Sequence, residues 1–149
     1  DKAGITAFQI NTHSGCHLNA QMISDVLLNL TLTDKEYLFI ENVGNLVCPA
    51  GVRLGQHLDM VVSATTEGSD KPKKYPLIFA NAKLVLITKT DIAQAVDFDE
   101  QEYTADLLSI NGKIKILKTS TKQPASFKEV AHFLEHERNH LVGLEHHHH

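Results

Sequence analysis

Residues 37–49 read YLFIENVGNLVCP, an apolar run that stops at an acid and continues into a loop with a cysteine. Residues 37–40 favour β-strands, and a strand buried on both faces of a parallel sheet has a continuous apolar sequence. Open sheets of this type bind ligands beyond the carboxyl ends of their strands. The stretch therefore predicts a buried strand, followed at a ligand-binding edge by Glu41, Gly44 and Cys48.

Strands and helices alternate in the rest of the chain. Short runs of apolar and β-favouring residues predict further strands at residues 5–10, 59–65, 84–87 and 113–118. Helical patterns, clearest where apolar residues recur at steps of three and four, are found at residues 19–30, 76–82, 99–110 and 127–141. This alternation predicts an α/β fold with a mostly parallel sheet flanked by helices.

Composition excludes several classes of protein. The 149 residues are 42% hydrophobic and 21% charged, as in an ordinary globular protein with a core of its own. A net charge of −4 argues against nucleic acid as the main partner, and no apolar run reaches the roughly 20 residues of a membrane span. Residues 144–149 read LEHHHH and are interpreted as the remnant of a purification tag.

The two cysteines and a neighbouring histidine form the first group with chemical potential. Two cysteines do not make a disulfide scaffold, and in a reducing cytoplasm they are metal ligands, reactive thiols or packed core residues. Cys16, His17 and Cys48 would suit zinc or nickel, in a site with an open position or in half of a site shared across a dimer. A Cys–His nucleophile is a lesser alternative, because adjacent residues rarely have the required geometry.

Residues after two predicted strands could bind a nucleotide. Lys89 and Asp91 follow the strand at 84–87, where a lysine stem can cover a flat base and a carboxylate can accept hydrogen bonds from guanine. Backbone amides of the segment Ser120, Thr121 and Lys122 could meet the same base. Alternatively, both sets are ordinary polar residues after strands, with no role in ligand binding.

Glu41 and Gly44 have two interpretations. The carboxylate could hold a water on Mg²⁺, which prefers oxygen ligands, and the glycine N–H could reach a γ-phosphate. Alternatively they are an acid and a glycine of a turn. His132, His136 and His140 share one face of the last predicted helix, as a metal site or as a solvated surface.

Taken together, these motifs resemble one family, the HypB-type nickel-insertion GTPases of [NiFe] hydrogenase maturation, which are P-loop GTPases of the SIMIBI class. The resemblance covers the chain from about residue 5 to residue 133. The blocks that carry it are FQINTHSGCHLNAQM (8–22), YLFIENVGNLVCPA (37–50), TEGSDKPKKYP (66–76), LVLITKTD (84–91), VDFD (96–99) and STK (120–122).

The resemblance implies a nickel metallochaperone. Cys16, His17 and Cys48 match the metal ligands of the GTPase domain, which bind nickel or zinc at the interface of a homodimer. Other hydrogenase maturation proteins are the expected partners, and the cytoplasm is the expected location. Residues 1–143 then form one partial GTPase domain.

The same resemblance implies GTP or GDP with Mg²⁺ as cofactors. Glu41 and Gly44 match the catalytic Walker B and switch II motif, ExxG. Lys89 and Asp91 match the guanine-specificity motif, and the fifth GTPase motif is matched by Ser120, Thr121 and Lys122. In the family, GTP promotes dimerisation, and its hydrolysis is coupled to metal transfer.

Three departures from the family pattern qualify this expectation. No GxxxxGK[ST] motif occurs in the 149 residues, so we expect the chain as it stands to hydrolyse little GTP and its sheet to lack a central strand. Thr88 replaces the usual asparagine of the guanine motif, and Gln21 replaces a histidine that some relatives use as a ligand, for which His13 is a possible substitute. The alternative function is a metal-binding or dimerisation module that does not hydrolyse nucleotide.

Overall fold

The computed structural model describes residues 4–33 and 35–145 and contains a parallel three-stranded sheet. Within these residues the strands are β1 (Met60–Ala64), β2 (Leu84–Thr88) and β3 (Lys115–Lys118), adjacent in that order. Met60 pairs with Leu84, and Leu84 pairs with Lys115. The central strand β2 is buried from Leu84 to Ile87, which explains why its sequence is apolar without alternation.

Five α-helices accompany the sheet in the part of the chain that the structure describes. They are α1 (Ala20–Leu27), α2 (Lys71–Lys74), α3 (Pro76–Asn81), α4 (Glu100–Ile110) and α5 (Lys128–Glu145). Short 3₁₀ turns lie at Cys48–Gly51, Thr65–Glu67, Thr90–Ile92 and Pro124–Phe127. The predicted α/β pattern is thus confirmed for the strands at 59–65, 84–87 and 113–118 and for all four predicted helices.

The chain divides into two compact units, Asp1–His57 and Leu58–His149. The second unit has a core in which Leu84, Leu86, Leu117 and Val130 pack together, with Phe133 and Leu134 of α5 against them. Phe79 and Tyr103 are fully buried, with their rings edge to face at 6.3 Å. Helix α5 therefore uses the apolar side predicted from its sequence to cover the sheet.

The first unit contains α1 and irregular backbone. Asn19 caps α1, because its side-chain oxygen accepts a hydrogen bond from the Met22 amide at 2.9 Å. Leu18 and Ile23 are buried. Cys16 and His17 lie in the loop that leads into this helix.

The strands predicted at 5–10 and at 37–41 are wrong, because both segments lack regular structure. Ile5, Phe8 and Phe39 expose 62% to 66% of their surface, so these apolar runs have no buried face. A strand is stabilised by a ladder of hydrogen bonds to a neighbour and by side chains packed across it, and among the described residues neither run pairs with a strand. Glu41 consequently follows an irregular segment and not a buried strand.

The predicted extent of the domain, residues 1–143, and the predicted tag at 144–149 stay predictions. Residues 146–149 of that tag lie outside the described residues. Within the described residues, no helix combines the length and the apolar character that crossing a membrane requires.

Candidate metal and nucleotide sites

Two loops of the first unit bring Cys16 and Cys48 together across 32 residues of sequence. The residues are joined as a disulfide, with Cα atoms 5.9 Å apart. Cys16 is exposed in the turn before α1, and Cys48 begins the 3₁₀ turn that Pro49 continues. The Nδ1 atom of His17 lies 3.6 Å from the Cys16 sulfur. The three side chains that the sequence predicted as a group are therefore close in space.

Two asparagines connect these loops. Asn45 donates from Nδ2 to the carbonyl oxygen of Cys16 at 2.7 Å, and its Oδ1 accepts from the amides of Val47 at 3.0 Å and Cys48 at 2.8 Å. Asn42 accepts from the Leu18 amide at 2.9 Å through its own Oδ1. Neither asparagine was predicted to have a role from the sequence, although asparagine in a loop often binds nearby backbone groups.

The donor set has the chemistry of a soft-metal site when the sulfurs are reduced. Thiolate sulfur and imidazole nitrogen are the ligands that zinc prefers, and they also suit nickel. The disulfide differs from the thiol forms that the sequence indicated, and its sulfurs are not thiolates. Within residues 4–33 and 35–145, no three His, Cys, Asp or Glu side chains are arranged to hold a metal ion. A metal would thus require reduction of Cys16 and Cys48, with further ligands from elsewhere.

Glu41 and Gly44 lie in the loop that leads to Asn45, and both are exposed. Apart from Gly44 and its two chain neighbours, no described residue has an atom within 4 Å of the position that a Cβ on Gly44 would take. The backbone there is therefore open to a ligand. The roles of Glu41 and Gly44 toward Mg²⁺ and phosphate stay predictions.

The second unit holds the predicted guanine site at the carboxyl ends of β2 and β3. The hydroxyl of Ser120 donates to Oδ1 of Asp91 at 2.6 Å, and the amide of Lys122 donates to the Ser120 hydroxyl at 3.2 Å. The hydrogen bond from Ser120 lowers the pKa of the Asp91 carboxyl, and the charge of Lys122 contributes to this effect. Asp91, Ser120 and Lys122 are thus brought together, and the exposed Thr121 lies between the last two.

Lys89 immediately follows β2 and adopts a left-handed conformation, with φ of 56°. This conformation is uncommon for a residue other than glycine. Thr65 directly follows β1. Its hydroxyl donates to the Lys89 carbonyl at 2.8 Å and so stabilises the left-handed conformation of Lys89. The Lys89 side chain is exposed. Thr65 was not predicted from the sequence, because its contact depends on the pairing of β1 with β2.

A cavity of about 290 Å³ lies at the same end of the sheet, lined in part by Thr65, Thr90, Lys118 and Ser126. Elsewhere in this unit, His132, His136 and His140 are exposed on α5. In the described part of the chain they belong to no group that could hold a metal. These histidines therefore fit the solvated helix surface that was one of their two interpretations.

Residues 1–118 match the family model described as "CobW/HypB/UreG, nucleotide-binding domain". The chain belongs to this family. The parallel sheet flanked by helices agrees with that assignment, and the predicted family resemblance and fold class are confirmed.

Several relatives carry the name HypB. The chain is 44% identical over 135 residues to the hydrogenase maturation factor HypB of Escherichia coli K12, which covers 91% of this chain and 47% of that protein. It is 40% identical to the probable hydrogenase maturation factor HypB of Methanocaldococcus jannaschii, covering 91% of this chain and 61% of the relative. The chain thus spans about half the length of the curated relatives that it matches.

Solved structures of HypB have the same fold. HypB from Archaeoglobus fulgidus superposes with a TM-score of 0.80 at 39% identity, covering 85% of this chain and 67% of that one. HypB from Helicobacter pylori in complex with nickel superposes with a TM-score of 0.87 at 34% identity, covering 93% and 66%. These identities and scores relate this chain to hydrogenase maturation factors.

Proposed function

We propose that this chain is the nickel-binding, guanine-nucleotide-responsive part of a hydrogenase maturation factor. In this proposal the whole factor couples GTP hydrolysis and dimerisation to the insertion of nickel into [NiFe] hydrogenase. The proposal depends above all on the contact between Cys16 and Cys48, whose loops are 32 residues apart in sequence. The names of the relatives and the nickel complex of the Helicobacter pylori protein support it.

Nickel is the cargo in this proposal. After reduction, the thiolates of Cys16 and Cys48 and the imidazole of His17 supply three donors, of which Cys16 is exposed and the other two are half-buried. Three donors leave a position open for transfer of the ion, or for a ligand from a second copy of the chain. A homodimer through this surface is therefore part of the proposal, and zinc is the competing ion because it accepts the same donors. The cytoplasm is the proposed location, since thiolates persist in a reducing compartment.

Guanine nucleotide with Mg²⁺ is the proposed regulator. The charged Asp91 carboxylate can accept hydrogen bonds from guanine, and Ser120 fixes its orientation. Lys89 would offer its stem to the base and the Thr121 amide could donate to it, while the Lys122 amide donates to the Ser120 hydroxyl. Glu41 and Gly44 are proposed to respond to Mg²⁺ and the γ-phosphate. Because Glu41 and Cys48 share one loop of the first unit, a shift of that loop would change the geometry of the metal donors.

The metal site is tested by nickel titration of the reduced protein after removal of residues 144–149, whose histidines would bind nickel themselves. We expect Cys16→Ala and Cys48→Ala to abolish tight nickel binding, with sulfur-to-nickel charge-transfer absorbance in the unaltered protein only. Sedimentation in the same samples should detect nickel-dependent dimers. His17→Ala should weaken nickel binding because it removes the third donor, and His57→Ala is its control, since His57 is an exposed histidine of the same unit. Unchanged stoichiometry in both cysteine variants would reject the assigned site.

A further inference from the structure

The side chain of Asn45 makes three hydrogen bonds that connect the loop of Cys16 to the loop of Cys48. Its amide nitrogen reaches back 29 residues to the Cys16 carbonyl at 2.7 Å. Its oxygen accepts from the amides of Val47 and Cys48, which sets the start of the 3₁₀ turn at Cys48. One side chain thus binds the backbone of both cysteines.

Asn42 makes a second connection between the same loops. Its oxygen accepts from the Leu18 amide, two residues after Cys16, and from its neighbour Val43 at 2.8 Å. Leu18 is buried, so this connection also anchors the start of the Cys16 loop to the apolar interior of the unit. Cys16 itself is exposed and has no comparable packing to hold it.

We infer that Asn45 is a positioning residue that keeps Cys16 and Cys48 within bonding distance of each other. The physical reason is that two irregular loops have no ladder of hydrogen bonds to fix their separation. Three hydrogen bonds from one short side chain restrict that separation and raise the effective concentration of one sulfur at the other. The conformation of the segment that contains Glu41 and Gly44 is thereby linked to the distance between the sulfurs.

This inference concerns the cysteine pair of the proposed function, but its test needs neither nickel nor nucleotide. The full chain is equilibrated with mixtures of reduced and oxidised glutathione, and the exchange is stopped with an alkylating maleimide. Mass spectrometry then gives the fractions of oxidised and reduced protein. One protein thiolate attacks glutathione disulfide and releases one glutathione thiolate. The second protein thiolate attacks the mixed disulfide and releases the other, so the protein loses two electrons and glutathione gains them. The equilibrium constant is the effective concentration of the two cysteines.

Three variants separate positioning from general stability. Asn45→Ala removes all three hydrogen bonds, whereas Asn45→Asp keeps the acceptor for Val47 and Cys48 but cannot donate to the Cys16 carbonyl. Asn29→Ala is the matched control, because the Asn29 side chain donates to the Asp25 carbonyl at 3.1 Å, four residues back in the same unit, and therefore makes a local hydrogen bond. We expect the effective concentration to fall about tenfold or more in Asn45→Ala and Asn45→Asp, and to stay unchanged in Asn29→Ala.

Two results would overturn the inference. If Asn45→Asp keeps the original effective concentration, the bond to Cys16 does not position the pair. If Asn29→Ala lowers it as much as Asn45→Ala, the effect is a general loss of stability. If Asn45→Ala does not fold, the effective concentration measured for Asn45→Asp alone tests the inference. A failure of nickel binding with the expected glutathione result would reject the proposed function and leave the positioning role intact.

Discussion

At the scale of single residues, the Asp91 carboxylate and the Ser120 hydroxyl form one of the shortest side-chain contacts of the second unit, at 2.6 Å. The hydrogen bond stabilises the charged carboxylate and therefore lowers its pKa below the ordinary value of 3.8. A folded-state pKa below the unfolded one stabilises the fold above the unfolded value. That contribution disappears as the pH falls through the lower, folded-state pKa.

The change Ser120→Ala should raise the pKa of Asp91 toward 3.8, because the main group that stabilises the charged form is gone. An NMR titration of the Asp91 side-chain carbonyl carbon measures this pKa directly. Ser109→Ala is the control, since the Ser109 hydroxyl donates to the backbone oxygen of Asp106 and does not contact Asp91. An unchanged Asp91 pKa in Ser120→Ala would show that the Ser120 hydroxyl does not lower this pKa.

At the scale of elements, β2 organises the second unit because it has a parallel neighbour on each side. Its four residues from Leu84 to Ile87 are buried, and Leu84 and Leu86 join the apolar cluster covered by α5. On the edge strand β1, Val61 and Ser63 are buried, whereas Val62 between them is 56% exposed. A truncation in β2 therefore leaves a cavity, and a truncation at Val62 does not.

We predict that Leu84→Ala lowers the free energy of unfolding by about 2–5 kcal/mol, the range for a buried leucine whose removal leaves a cavity. Val62→Ala is the matched control and should change it by less than about 1 kcal/mol, because most of that side chain is already in contact with water. Urea denaturation followed by far-ultraviolet circular dichroism measures both. Equal losses in the two variants would contradict the central position of β2.

Helix ends follow the same local rules in both units. Asn19 caps α1, and Asp99 caps α4 by accepting from the Glu102 amide at 3.0 Å. At the carboxyl end of α4, Asn111 donates to the carbonyl oxygens of Phe79 and Ala82, at 3.2 Å and 2.9 Å. Asn111 thereby ties the end of α4 to the end of α3. This connection between two helices was not predicted from the sequence.

At the scale of the whole molecule, the two proposed activities belong to different compact units. The cysteine pair lies in Asp1–His57, and the Asp91 cluster lies in Leu58–His149. Each activity can therefore be measured by itself before any coupling between them. The metal assay described above concerns the first unit, and recognition of the guanine base concerns the second.

We predict that the reduced chain with Mg²⁺ binds GTP and GDP but not ATP, because the Asp91 carboxylate accepts from guanine and has no equivalent partner on adenine. Isothermal titration calorimetry measures the heat of binding, and Asp91→Ala should remove it. Asp97→Ala is a control, because Asp97 is an exposed acid of the same unit. Binding is the suitable readout, since the 149 residues contain no GxxxxGK[ST] motif. The absence of any heat would favour the metal-binding module that does not hydrolyse nucleotide.

The strands β1 to β3 and the helices α1, α4 and α5 were predictable because each has a periodic or continuous apolar pattern that local physics converts directly into structure. The runs at 5–10 and 37–41 were not, because an apolar run becomes a strand only when a partner completes its ladder. The sequence likewise showed which residues have metal-binding or base-binding side chains, namely Cys16, His17, Cys48 and Asp91.

Sequence alone thus determined the fold class, the family resemblance and the identity of the candidate ligands. Only the tertiary structure decided that Cys16 and Cys48 touch, that Asn45 connects their loops, and that Ser120 donates to Asp91. The reason is that these contacts span 29 or 32 residues of chain. These contacts form only when the intervening loops close and the rest of the unit packs. The residues in contact therefore have no sequence pattern that predicts their partners.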